Sequence, residues 1–167
     1  NQMPKKEVYL MKKIILPLAE TSKGKVERGF AVQKTYNGED SRGNALSTYK
    51  FNVKPTLDYP LGQIPKGYNP RGLEEKSSIV KAIRASTSQP NFSLKNRGVM
   101  AYCEPGSVKI DHEKKTIEFL CREDSTQGDS DGQHTIFGVE DSIKAGEWHQ
   151  LNSVNFILHE KNPDQSV

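Results

Sequence analysis

"NRGVMAYCEPGSVKIDHEKKTIEFLC", residues 96–121, decides the fold class. Val99, Ala101 and Cys103 alternate along the chain, Pro105-Gly106 turns it, and Val108 and Ile110 alternate again. His112-Glu113-Lys114-Lys115 makes a second turn before Ile117, Phe119 and Cys121. A period of two between turn residues predicts a three-stranded antiparallel piece. Upstream, Leu73 to Ser86 predicts a helix, with Leu73, Ile79, Val80, Ala82 and Ile83 on one face. Glu74 and Glu75 suit its N-terminus, Lys81 and Arg84 its end, and Gln89-Pro90-Asn91 stops it. Downstream, a polar turn over 122–133 leads into a second helix, His134 to Ala145. Ile136, Phe137, Val139 and Ile143 fall at helical spacing there, and Gly146 suits the C-cap. Val154 to His159 predicts a last strand.

The first third reads differently. Val8 to Leu18 is apolar but carries Pro17, which favours one or two strands over a helix. Phe30 to Tyr36 alternates loosely before the turn residues Asn37-Gly38-Glu39-Asp40 and Arg42-Gly43-Asn44. Ser47 to Val53 alternates Tyr49, Phe51 and Val53 against polar neighbours. Residues 8–54 therefore predict a small β-rich layer. Four prolines and three glycines over 55–72 mark a connection, because proline fixes φ and removes a donor. The expected division is a β-rich region over 1–60, an α+β core over 61–160 and a tail over 161–167. Asn1-Gln2-Met3 suggests trimming or a cloning remnant, so the chain is expected to be a fragment of something longer.

The 167 residues suffice for one real core, but only 34% are hydrophobic and mean hydropathy is −0.73, which predicts small layers and much surface loop. A net charge of +3 is too mild to identify a nucleic-acid binder, although Lys5, Lys6, Lys12, Lys13, Lys23, Lys25 and Arg28 crowd the N-terminal part. Such a dispersed stretch reads first as a solvated face. Cys103 and Cys121 lie inside expected strands without a closely spaced partner, which fits a reducing, cytoplasmic setting and two buried small hydrophobes. No apolar run approaches the ~18 residues that span a bilayer.

The polar turn "GDSDGQHT", residues 128–135, carries the candidate chemistry. An EF-hand reading fails, because the twelfth position from Gln127 is Gly138 and not a bidentate glutamate. Ser130, Asp131 and His134 in one turn say little about a triad, which geometry and not adjacency assembles. An anion site has a clearer mechanism. Gly128 and Gly132 let backbone approach a ligand, and the helix start offers unpaired N–H groups with the positive end of its dipole. Gln133, His134 and Thr135 would add donors. Against this stand Asp124, Asp129 and Asp131, which repel phosphate unless they hold a divalent ion, point away or cap the helix, with Asp131 the natural cap. The plain alternative is a capped structural turn.

The order of motifs adds a resemblance. "YNPRGL" (68–73), a helix, "NFSLKNRGVMAYCE" (91–104) and "DGQHT" (131–135) together resemble the AIPR (abortive infection phage resistance) proteins. "DGQHT" is also similar to the motif that names the DGQHR domain of DNA-modification-associated proteins. Both are similar in layout to the ParB/sulfiredoxin superfamily. The resemblance covers about residues 45–160. It implies a ParB/sulfiredoxin-like mixed sheet with two or more helices, beside the β-rich N-terminal layer. It also implies a pocket for a nucleotide or nucleic-acid phosphate, possible magnesium, and a phage-defence or DNA-associated role. Asn69 and Arg71 match the first segment, Asn96 and Gly98 the second, and Asp131 to Thr135 the third, so that Asn69, Arg71, Asn96, Gly132, Gln133 and Thr135, with the neighbouring Arg97, would bind the ligand. Asp131 and His134 would carry any chemistry, and Asp129 and Asp131 would hold a metal. Arg97 stands where the family has a second asparagine. Thr135 stands where nucleotide-handling relatives have arginine, so Arg71, Arg97 or Arg122 would have to supply that charge.

Each residue also has a plainer reading. Asn69 precedes proline in a turn, Arg71 could form a structural ion pair, and Gly98 could ease a tight strand start. Trp148 reads as core or loop anchor, and His112, His149 and His159 receive no role. Two rival functions follow: a non-catalytic protein-interaction module, with a protein partner or a second copy, and a metal-dependent nuclease using the Asp-rich loop.

Overall fold

The computed structural model describes residues 10–23, 27–29, 32–67 and 78–162. Its elements are β1 (Met11–Pro17), β2 (Thr21–Lys23), β3 (Glu27–Gly29), β4 (Gln33–Glu39), β5 (Ala45–Val53), a 3-10 turn (Leu61–Gln63), α1 (Ser78–Ser86), α2 (Phe92–Lys95), β6 (Val99–Cys103), β7 (Lys109–Asp111), β8 (Thr116–Arg122), β9 (Gly128–Asp131), α3 (Gln133–Lys144) and β10 (Val154–Glu160). The class is mixed α+β with more strand than helix.

Two sheets form the body, one in the order β4-β5-β10-β6-β9 and one in the order β1-β8-β7, beside a β2–β3 pair. β10 is central to the larger sheet, antiparallel to β5 and parallel to β6. Its residues alternate between buried and half-buried, so Val154, Phe156, Leu158 and Glu160 face inward. The register sets Phe51 and Val99 beside Phe156, and Tyr49 and Ala101 beside Leu158, which gives the sheet one continuous apolar face. Phe51 stacks on Phe156 with ring centroids 5.1 Å apart, and Phe119 of the smaller sheet lies 6.4 Å from the same ring. The core therefore lies between the sheets. Leu61, Ile64, Phe92, Ile136 and Val139 extend it beneath the helices.

The expected β-rich N-terminal layer does not stand apart. β1 pairs along its whole length with β8, and β5 pairs with β10. The apolar residues of 8–54 need a second surface, and strands from the later half supply it. The sheets also join at their corners: the Lys54 amide donates to the Pro17 carbonyl at 2.9 Å, and the Glu104 amide to the Leu120 carbonyl at 2.8 Å.

The three-stranded antiparallel piece expected over 96–121 is corrected as well. β7 pairs with β8, but β6 crosses to lie between β10 and β9. Local alternation identified all three strands, yet burying Val99, Ala101 and Cys103 required a partner from further along the chain. Cys103 and Cys121 are buried and unpaired, as their strand positions suggested. Burial, the largest influence, pushes the Cys121 thiol up to about 12 and the Cys103 thiol well above its ordinary value, so both behave as inert apolar groups.

The first expected helix is observed as Ser78–Ser86; Leu73, Glu74 and Glu75 lie outside the described residues. The second helix ends as predicted, with Gly146 at φ +72° and the Gly146 amide bonded to the Ile143 carbonyl at 3.1 Å. Thr87 and Ser142 hydroxyls 2.5 Å apart tie the end of α1 to α3. Trp148 packs edge-on to Phe92 at 5.4 Å, as a loop anchor. No described helix is long and apolar enough to cross a membrane.

Candidate functional site

The turn before α3 is built by close backbone approach. β9 runs through Asp131, paired with Met100, and the chain must then swing at once into a helix. Gly132 makes that swing at φ 92° and occupies the N-cap itself, with no side-chain cap. Asp131, the expected cap, is exposed and accepts its neighbour's amide, Gly132 N–H, at 2.9 Å. A β-carbon on Gly132 would overlap the Gly98 carbonyl oxygen. "NRGV" and "DGQHT", far apart in sequence, thus meet through their glycines.

Side chains tighten the same junction. Thr135 is buried and its hydroxyl donates to Asn96 Oδ1 at 3.1 Å, which also accepts the Gly98 amide at 2.7 Å. Gln133 is buried and its amide donates to Asp129 Oδ1 at 3.1 Å. Asp129, 2% exposed, also accepts the Gly67 amide at 2.9 Å. Burial raises the Asp129 pKa, while the bonds from Gly67 and Gln133 and the charge of Lys66 oppose the shift. Thr135, Gln133 and Asn96, expected to bind a ligand, and Asp129, expected to hold a metal, bond to one another and to the backbone within the turn, because each polar group buried there needs a partner. His134 is half-buried and Arg97 exposed. Asn69 and Arg71 lie outside the described residues. No group of three metal-capable side chains gathers among the described residues. Arg122, considered as a charge donor, is buried against Glu104 at 3.2 Å.

Two cavities adjoin β9: one of about 170 Å³ beside the turn, lined by Lys66, Asp129, Gln133, Phe137 and Glu140, and a larger one along the preceding loop. The larger cavity, of about 520 Å³, is bounded by the polar loop, with Asp124, Ser125, Thr126 and Ser130, and by Tyr102 and Lys161. Gln127 anchors that loop: its amide donates to Glu104 and to the Lys161 carbonyl, both at 2.9 Å, and its oxygen accepts the Arg122 amide at 2.8 Å. Asp124 accepts the Thr126 hydroxyl and amide, and this side-chain bond above all lowers its pKa, so it is ionised at neutral pH. Lys161 Nζ lies 4.7 Å from the centre of the Tyr102 ring.

Tyr102 and Lys161 were missed at the level of sequence. A signal existed: Tyr102 is an outward position of an alternating strand, and Lys161 follows His159 by two, hence the same face. Comparison with family models, with curated proteins and with solved structures gives no match to the chain.

Proposed function

We propose that the chain is a DNA-associated or phage-defence protein, a ParB-like relative of the AIPR and DGQHR proteins, that binds a nucleotide or nucleic-acid phosphate in the cavity beside the polar loop. The observation that carries this reading is the Lys161 ammonium over the Tyr102 ring, at the wall of a cavity rich in hydroxyls. A base that displaces the ammonium from the ring face stacks there and leaves the charge beside its phosphate. Ser125, Thr126 and Ser130 add hydrogen-bonding groups, and ionised Asp124 suits ribose hydroxyls or a magnesium ion arriving with the nucleotide. The DGQHT turn then acts as a support that fixes β9 and α3, and the reading claims binding without turnover.

Thermal unfolding with ATP, CTP, GTP and a short DNA duplex, each with and without magnesium, tests this, since a ligand specific to the folded state raises apparent stability. The expected result is a rise with at least one of them that disappears in Tyr102→Ala and Lys161→Glu. No rise with any ligand sinks the reading. A rise that survives both variants but is lost in His134→Ala moves the ligand to the helix start. A non-catalytic interaction module is the second reading, favoured by the internal bonding of Gln133 and Thr135.

A further inference from the structure

We propose that the outer face of the five-stranded sheet is the path of a single-stranded nucleic acid running out of the Tyr102–Lys161 cavity. This rests on the nucleotide reading above and names its substrate class. β-Alternation turns every second residue of β5, β10 and β6 away from the core, and the register collects them in rows. Lys50, Ile157 and Met100 form one row, and Thr48, His159 and Tyr102 the next. The second row ends in the cavity wall, because Tyr102 belongs to both.

This row is a platform for planar groups. The His159 and Tyr102 rings lie 5.6 Å apart at 33°, extending the aromatic surface across two strands. The His159 ring is held from the neighbouring strand, with Nδ1 2.8 Å from the Thr48 hydroxyl, which in turn accepts from Asn37 at 2.6 Å. Burial first, and then the charge of Lys50, push the His159 pKa below its ordinary value, so the ring is neutral at neutral pH and serves as a stacking surface. Ile157 and Met100 are half-buried beside it, and Thr48 is buried.

The charges fit one occupant. Lys50 is exposed on one side of the platform and Lys161 stands on the other, while the carboxylates near the path include Asp131, beyond Met100 on the edge strand, and Asp124 in the cavity wall. Rings lying on a sheet meet bases only when those are unstacked, which excludes a closed duplex. A lone nucleotide would use the cavity and leave the rest of the row empty. RNA-binding sheets that present two or so aromatic rings take about two or three bases.

Fluorescence anisotropy with labelled single strands of about eight nucleotides, DNA and RNA separately, decides the matter against a mononucleotide and a duplex. The single strand is expected to bind at least about tenfold more tightly than the mononucleotide and to weaken with salt. Lys50→Glu, at an exposed site outside the cavity, is expected to weaken the strand by about tenfold or more and leave the mononucleotide unchanged. A photo-cross-linkable strand is expected to label His159 or Tyr102. Preference for RNA would indicate contacts to the 2′-hydroxyl; equal affinity would mean stacking and charge alone, and either supports the path. If the mononucleotide binds as tightly as the strand, or the duplex binds more tightly, the path is overturned while the nucleotide reading stands. If nothing binds, both fall.

Discussion

The Gly98 carbonyl oxygen occupies the space where a side chain on Gly132 would begin, and Val99 Cα lies 2.9 Å from that point. Both glycines also have left-handed backbones, at φ +86° and +92°. Gly132→Ala should therefore destabilise through two effects, the left-handed strain and the overlap with backbone that cannot swing away. The expected loss is about 2–4 kcal/mol in urea unfolding. Gly106→Ala, at φ +75° in open space, isolates the first effect and should cost about 1–2 kcal/mol. Equal losses at the two sites would mean that the junction yields.

Thr135 and Asn96 form a coupled pair across the same junction. Thr135→Val keeps the shape and removes the hydroxyl, leaving Asn96 Oδ1 with the Gly98 amide alone. The expected loss is about 1–2 kcal/mol, with Thr135→Ser recovering most of it. A double-mutant cycle with Asn96→Ala should show non-additivity, and additive effects would disprove the coupling.

Asp129 is a carboxylate whose folded-state pKa is raised by burial. Its favourable contribution is complete below the unfolded-state pKa and is lost as pH rises through the folded value. Asp129→Asn keeps an oxygen for the Gly67 amide and the Gln133 side chain while removing the buried charge. Its melting temperature relative to the parent should therefore improve between pH 4 and pH 7. A variant that loses ground over that range would contradict the assignment.

Asp40 has the opposite sign. Burial alone would raise its pKa, but bonds from the Asn44 amide and side chain, the Asn162 side chain and the Arg42 amide bring it down to about 2. Its carboxylate joins the β4–β5 turn to residue 162, with Asn162 Nδ2 donating at 3.2 Å. This stabilisation is present above the ordinary value of 3.8 and is lost as pH falls toward 2. Denaturant midpoints measured from pH 5 to pH 2 should fall in the parent and flatten in Asp40→Asn.

Strands and helices were legible where one period ran long enough: Ser47 to Val53, Ile117 to Cys121 and Val154 to His159 lie within observed strands, and His134 to Ala145 differs from α3 by one residue at each end. Partners were not legible. Alternation says which face of β6 is apolar, but not that β10, more than fifty residues later, covers its flank. The junction of "NRGV" with "DGQHT" was suggested by the order of the motifs, and their glycines and the Asn96–Thr135 bond do meet. The resemblance pointed those side chains at a ligand, but the residues themselves carried no direction, because a polar residue at a helix start reads alike whether it faces a ligand or a neighbouring strand.

By itself the sequence determined the α+β class, most of the strands and helices, the buried cysteines and the glycine turn at 132, since each follows from local sterics and the period of apolar residues. The tertiary structure alone decided which strands share a sheet, and that Gln133 and Thr135 are spent on internal hydrogen bonds. It also brought Tyr102, His159 and Lys161 together on one face. Hydrogen bonds between strands carry no residue code, and the choice among pairings falls to whichever register buries the apolar faces of the whole chain at once.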